Sequence, residues 1–218
     1  MKYKLEVVLR TAKTRGLLSS IYLLCLIVRS KLVGQHRPMF GFAVPASGSA
    51  SAPEIPGYEI ELVRPEQEYS LSAELSQCRQ QFDWDIKTKL KEGADVWIGR
   101  LDGRLATIAV TKTGDKKPAY FFPLTPDCVV ISHCVTFRSC RGLGLYPASL
   151  VQIVDILAKK GTNRFYVDCA DWNTPSINGI RHAGFQLIGQ AIVSKSGRLI
   201  WHQKSRPDFS YANSNEDS

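Results

Sequence analysis

The sequence predicts a mixed α/β domain over residues 57–204, preceded by a helical N-terminal extension, and three observations predict it. Val129–Leu150 begins as a continuous apolar, β-branched run, breaks at a basic glycine turn from Arg138 to Gly144, and resumes with helical patterning. Short apolar or alternating runs on both sides of it supply further strands, with helices between them. Residues 1–42 differ in kind: they are basic and apolar with helical patterning, and a linker, residues 43–56, separates them from the rest.

In chain order, Tyr58–Arg64 alternates and reads as a strand. Glu66–Gln81 and Trp84–Lys91 read as two helices. Asp95–Leu101 and Arg104–Thr111 flank Asp102-Gly103, a strong hairpin signal. Lys112–Lys117 is a polar turn. The aromatic stretch Pro118–Pro123 is either an extended segment lining a site or a cover for the core. Val129–Thr136 is a buried strand, Leu145–Lys160 a helix with Pro147 in its first turn, and Arg164–Ala170 another buried strand. Asn173–Ala183 is a short helix with Gly184 at its C-cap. Phe185–Ser194 and Leu199–Lys204 form a closing hairpin, and the polar residues 205–218 are expected to be a disordered tail. No internal repeat is visible.

The 218 residues carry a net charge of +8, unevenly placed. Residues 1–37 hold eight basic residues and one acid, Glu6, a net +7, which leaves about +1 for the remainder. A nucleic-acid-binding domain is therefore not implied, since no basic face recurs beyond the N-terminal segment. The apolar block Gly16–Val28 spans about 20 Å as a helix, short of the ~30 Å hydrocarbon core, which argues against a transmembrane span. Basic residues follow this block, which argues against a signal peptide. Two readings stand: the segment lies on an anionic membrane surface, or it docks on the domain or a partner. The six cysteines form no C-x-x-C pair and have no histidine cluster beside them, so no metal site is expected. Their placement in apolar strands suits a reducing cytosol. The location expected is cytoplasmic, with peripheral contact at the inner face of a membrane as the first reading requires. The oligomeric state is not legible.

A strand, a glycine loop and a helix N-terminus make an anion site, because loop N–H groups and the helix dipole converge on one point. Gly142 and Gly144 let a ligand approach the backbone. The Walker pattern is excluded by Leu145-Tyr146 where Lys-Ser/Thr is needed, and the dinucleotide pattern by its missing third glycine. About thirty residues on lies Asn173–Phe185, N-T-P-S-I-N-G-I-R-H-A-G-F. Arg141 and Gly144 fill the first and fourth positions of an Arg/Gln-x-x-Gly-x-Gly/Ala motif, with Tyr146 in place of the final small residue. Asn173, Ser176, Gly184 and Phe185 match a second motif at its spacing. Together, over roughly Gly57 to Lys204, these motifs resemble the GNAT superfamily of acetyl-CoA-dependent N-acetyltransferases.

That resemblance implies a GNAT-like fold, acetyl-CoA as co-substrate, and a small-molecule amine as acceptor. The pantetheine arm would lie along Cys134, Val135 and Thr136. The pyrophosphate would rest on the N–H groups of Arg141, Gly142, Leu143, Gly144 and Leu145, with Arg141 as charge partner and Arg138 reaching the adenosine 3′-phosphate. Asn173 and Ser176 complete the cofactor side. Phe82, Asp83, Trp84 and Asp85 become acceptor contacts, or else a surface connector anchored by Trp84. The R-G-L-G-L-Y-P-A-S-L variant with a basic N-terminal segment leans toward an amino sugar or other envelope precursor.

Proton transfer is less legible. The positions at which the family carries a glutamate base and a tyrosine acid are here Val130 and Ile180. His133 has a suitable intrinsic pKa, but simple alternation puts it with Ile131 and Val135, opposite Val130, Ser132, Cys134 and Thr136, as a buried histidine unless a bulge intervenes. Asp168 and Asp171 bracket a strand end, where each is a base, an amine ligand or a cap. Tyr146 offers a phenol or a packing ring. Cys134 and Cys140 would be nucleophiles only with lowered pKa values, and the family's habit of direct transfer speaks against that. The catalytic candidates are therefore His133, Asp168 and Tyr146. Two alternatives remain: a transferase using another acyl donor, and an acyl-CoA-binding or membrane-associated adaptor without turnover.

Overall fold

The computed structural model describes residues 16–32, 34–44, 55–63, 85–117, 120–194 and 199–203, with residues 8, 9, 11, 12, 71, 74, 75 and 196. In chain order the elements are α1 (Leu17–Leu32), β1 (Gly34–Ala43), β2 (Tyr58–Leu62), α2 (Ile86–Lys91), β3 (Asp95–Leu101), β4 (Arg104–Thr113), β5 (Cys128–Thr136), α3 (Leu145–Ala158), β6 (Arg164–Asp168), α4 (Thr174–His182), β7 (Gln186–Ser194) and β8 (Leu199–Gln203). Short 3₁₀ turns occupy Gly114–Lys116 and Arg138–Cys140. The eight strands form one mixed sheet in the order β2-β3-β4-β5-β6-β1-β7-β8. Only β5 and β6 run parallel, because α3 makes the crossover between them.

The β3–β4 hairpin turns at Asp102-Gly103, both at positive φ, as that dipeptide predicts. The β7–β8 hairpin likewise follows the sequence. Asp85 caps α2, its carboxylate accepting from the Thr88 N–H at 3.0 Å. Phe82, Asp83 and Trp84, the other expected acceptor contacts, lie outside the described residues, as do most of the helix expected over 66–81 and all of the tail 205–218.

Residues 34–43, expected in the helical extension and at the start of the linker, are instead a strand in the interior of the sheet. β1 pairs antiparallel with β6 on one side and β7 on the other. Periodicity hid it: G-Q-H-R-P-M-F-G-F-A has two glycines, a proline and no clean alternation. Met39 and Phe40 alternate onto opposite faces and both are fully buried, and between them the register shifts by one extra residue, Ile188, in β7.

The sheet separates two cores. On one face α3 and α4 cover Phe40, Trp97, Val129, Ile131, Phe165 and Val167. On the other, Leu71, Leu75 and Ile86 pack over Val96, Ile98, Ile108 and Val110. Farther along that second face, Tyr120, Phe121 and Phe122 pack on Met39, Ile188, Ala191 and Trp201, so these aromatic residues of the expected 118–123 stretch cover the core there. A buried hydroxyl cluster fixes α3 to the sheet: Tyr58 reaches Thr107 Oγ1 at 2.7 Å and also Ser149, whose Oγ donates to the Leu145 carbonyl at 2.8 Å.

A buried central strand makes a direct prediction. Phe40→Ala should cost about 3–5 kcal/mol, read as a lowered urea midpoint, whereas a linker residue would cost almost nothing.

Candidate active site

The site begins where β5 and β6 part. They pair from Cys128↔Arg164 to Ile131↔Val167, and there the pairing ends. Beyond Ile131, β5 continues to Thr136 with β4 on one side only, so its other edge presents backbone groups toward the residues after Asp168.

A bulge in β5 sits at this divergence. Val110 opposes Ser132 and Ile108 opposes Val135, so His133 and Cys134 together stand against Ala109. His133 adopts φ 51°, the left-handed conformation that lets one extra residue fit. The simple alternation expected from the sequence is thereby overturned. Cys134 joins the core face of Ile131 under α3, while Val135 turns to the other core beside Phe137. His133 is not a buried core residue; it is exposed on the bulge, with Nδ1 3.0 Å from Ser132 Oγ.

After β5, the 3₁₀ turn Arg138–Cys140 leads into the glycine loop. Arg141 donates from Nε to the Thr136 carbonyl at 3.0 Å and so ties the loop back to the strand. Gly142 and Gly144 both have positive φ, 90° and 75°, which turns the chain sharply into α3. Among the described residues, the N–H groups of Gly142, Leu143 and Gly144 have no backbone acceptor. With the N–H groups of Leu145 and Tyr146 at the start of α3, they could hold an anionic diphosphate. Arg138 is exposed beside it. The open strand edge and this cradle fit a molecule made of an amide-bearing arm and a pyrophosphate.

Three further residues meet at the split. Tyr146 enters from the first turn of α3 and lies over Gly179 of α4, where a Cβ would overlap its ring. Its hydroxyl accepts a hydrogen bond from Ser176 Oγ at 3.3 Å and neighbours Cys134. Burial pushes the Tyr146 phenol well above its usual range, and Cys134 adds to the effect. Burial likewise pushes the thiols of Cys134 and Cys169 up to about 12. Asn173 stands at the N-cap of α4, its N–H donating to the Ala170 carbonyl at 2.9 Å.

The two aspartates have partners that sequence spacing did not reveal. Asp168 pairs with Arg37 of β1, and Asp171 with Arg29 of α1. These pairs fasten the N-terminal segment to the end of β6, from positions more than 130 residues earlier in the chain. Near Asp168, burial pushes the Tyr120 phenol up, with the aspartate adding to the rise, and burial lowers the Lys117 ammonium. The positions of the family's base and acid, Val130 and Ile180, are 1% and 0% exposed and belong to the packed interior. A cleft of about 650 Å³ lies between α1 and the start of α4, with Leu18, Tyr22, Arg29, Asp171, Thr174 and Gln190 among its walls.

The sequence model of the acetyltransferase (GNAT) family matches residues 58–185. The chain belongs to the GNAT family. Solved structures agree in fold. A GCN5-related N-acetyltransferase from Kribbella flavida superposes with a TM-score of 0.53 at 13% identity, over 73% of this chain and 57% of that one. A GNAT acetyltransferase from Colwellia psychrerythraea gives 0.52 at 14%, over 79% and 57%. This chain thus spans a little over half the length of both. The aminoglycoside acetyltransferase AAC(6′)-Ib, in complex with coenzyme A and kanamycin, gives 0.53 at 17%, over 72% of this chain and 99% of its own. No curated protein matches the chain in sequence.

The raised thiol pKa values have a chemical consequence. A thiol at about 12 yields thiolate only as pH climbs toward that value, so at pH 8 Cys134 and Cys169 stay protonated. Iodoacetamide at pH 8 should modify exposed Cys25 while leaving Cys134 and Cys169 intact, as peptide mass mapping will show.

Proposed function

We propose that the protein moves an acetyl group from acetyl-CoA to a primary amine of a small molecule, by direct attack in a ternary complex. The observation that carries this reading is the unpaired edge of β5 running into a loop whose N–H groups lack backbone acceptors. Acetyl-CoA supplies the thioester and a thiol leaving group. The chain's own residues hold, orient and move protons around it. Cys134, Val135 and Thr136 offer backbone groups to the amide-bearing arm. Arg141, Gly142, Leu143, Gly144 and Leu145 offer N–H groups to the pyrophosphate, with Arg141 as its charge partner and Arg138 reaching the adenosine 3′-phosphate. Asn173 and Ser176 close the same side.

For the leaving thiolate, Tyr146 takes the part that Ile180 cannot. Its phenol keeps its proton through the neutral range, because burial opposes the phenolate, and so it remains a hydrogen-bond donor at the split. For the amine proton, His133 on the bulge is the base we favour. Asp168 is engaged by Arg37, and its role here is to fix the end of β6 rather than to accept the proton. The cysteines take no covalent part, since their thiols stay protonated. An amino-sugar acceptor accords with the kanamycin-bound aminoglycoside acetyltransferase among the structural neighbours. The same reading puts the protein in the cytoplasm, peripheral to the inner face of a membrane.

A second reading, an acyl-CoA-binding protein without turnover, is favoured by the burial of Val130 and Ile180 where the family has proton carriers. Two measurements separate them. Calorimetric titration should show CoA-selective binding that Gly144→Val abolishes, because a β-branched residue resists the φ of 75° that the loop requires; unchanged affinity would remove the loop assignment. In a thiol-release assay with amino-sugar, amino-acid and polyamine acceptors, Tyr146→Phe should lower kcat about 10²-fold with little change in KM. Binding with no thiol release from any acceptor would favour the second reading.

A further inference from the structure

The surface of α1 is out of keeping with the rest of the molecule. Among the described residues, eleven large hydrophobic side chains are exposed, and eight of them lie at Leu9 or within α1. Such clustering is unlike the single scattered apolar residues of an ordinary surface. In steps of about 100° per residue, Leu17, Leu18, Ile21, Leu24, Val28 and Leu32 fall on an arc of about 120°. Their exposures run from 46% at Val28 to 83% at Leu18. Ser20, Leu23 and Ile27 lie on the other side of the helix and are buried, the latter two against Trp172. The helix therefore has two apolar faces, and the fold uses only one.

Charge identifies what covers the other. Lys31 falls at one margin of the exposed arc, and Arg29, whose charge is engaged by Asp171, at the other. The preceding stretch adds Lys2, Lys4, Arg10, Lys13 and Arg15 against the single acid Glu6. Two copies meeting through residues 1–32 would bring a net +6 against +6, whereas an anionic lipid surface is complementary. Sixteen residues make a helix about 24 Å long, short of the ~30 Å core. No helix among the described residues is long and apolar enough to cross a membrane. A helix lying in the interface, apolar arc among the acyl chains and cations at the headgroups, satisfies every one of these observations.

We propose that the exposed arc of α1 is a lipid-docking face, which seats the protein on membranes rich in anionic headgroups. This deepens the peripheral placement given above and rests on it, but not on the transfer reaction. The domain is carried rigidly on that face, because Leu23 and Ile27 pack on Trp172 and Arg29 pairs with Asp171. A face that reads lipid thus continues, through one helix, into the strand that completes the sheet beside the split.

The test uses the full chain and vesicle flotation, comparing phosphatidylcholine alone with phosphatidylcholine containing about one third phosphatidylglycerol. Partitioning should be at least about tenfold greater on the anionic vesicles and fall in high salt. The double variant Ile21→Glu/Val28→Glu should lose at least about tenfold, while Lys160→Glu, the same change in charge on the domain surface, should lose less than about twofold. A solvatochromic dye on Cys25, corrected with a Cys25→Ser control, should shift to the blue on anionic vesicles, and this readout needs no charged substitution in the helix. Equal partitioning on neutral vesicles, full partitioning by the double variant, or an unshifted dye would overturn the proposal. So would a concentration-dependent dimer that the double variant abolishes, since the face would then belong to a second copy. Acetyl-CoA binding measured on the same variants keeps the two readings apart: its retention alongside lost flotation is expected, and its absence in the wild type would count against the transferase alone.

Discussion

The parting of β5 from β6 governs the rest of this structure. A sheet is stable when its backbone groups are paired, and an interior strand that leaves its neighbour forfeits several pairs at once. Here the loss is confined to the end of β5, where the bulge at His133 and Cys134 has already turned the strand. Everything around the split follows from it. The bulge brings Cys134 under α3, Tyr146 drops into the space over Gly179, and Ser176 reaches its hydroxyl. The glycine loop then meets the opened edge at one corner, tied by Arg141 to the Thr136 carbonyl.

β1 sets the opposite boundary. β6 would have an open edge of its own on the far side from β5 if Gly34–Ala43 did not fill it. The strand is paired along both edges, buried at Met39 and Phe40, and clamped at the end of β6 by Arg37 on Asp168. Arg29 on Asp171 extends the clamp into α1. An aspartate mostly removed from solvent and paired with an arginine is fixed in place, and removal of either partner would leave the other poorly solvated. That explains why the residues after β6 hold one geometry beside the split although they form no regular element until α4.

Val130 and Ile180 belong to the packed interior and contribute packing there. Tyr146 reaches the split from the first turn of α3, beside Ser176 and Cys134, while His133 stands exposed on the bulge. Gly179 leaves room there for the Tyr146 ring, which a larger residue would exclude. The thiols nearby are held protonated by burial.

The sequence by itself determined the local elements of the catalytic half. Continuous apolar runs, the Asp102-Gly103 turn and the glycines before α3 dictate β3 to β7, α3 and α4, because each is set by short-range sterics and periodicity. The same local signals placed the glycine loop beside a strand and a helix N-terminus, and two motifs sufficed to suggest the family. Tertiary structure alone decided the rest. Gly34–Ala43 became a central strand without strand-like composition, because two neighbouring edges supplied its hydrogen bonds. Whether His133 faced core or solvent depended on one extra residue opposite Ala109, a register event that period-two counting does not detect. Asp168 and Asp171 looked like free acids until Arg37 and Arg29 arrived from the other end of the chain. Pairings across such separations depend on how strands are ordered in the sheet, and that order is a property of the whole packed chain rather than of any segment.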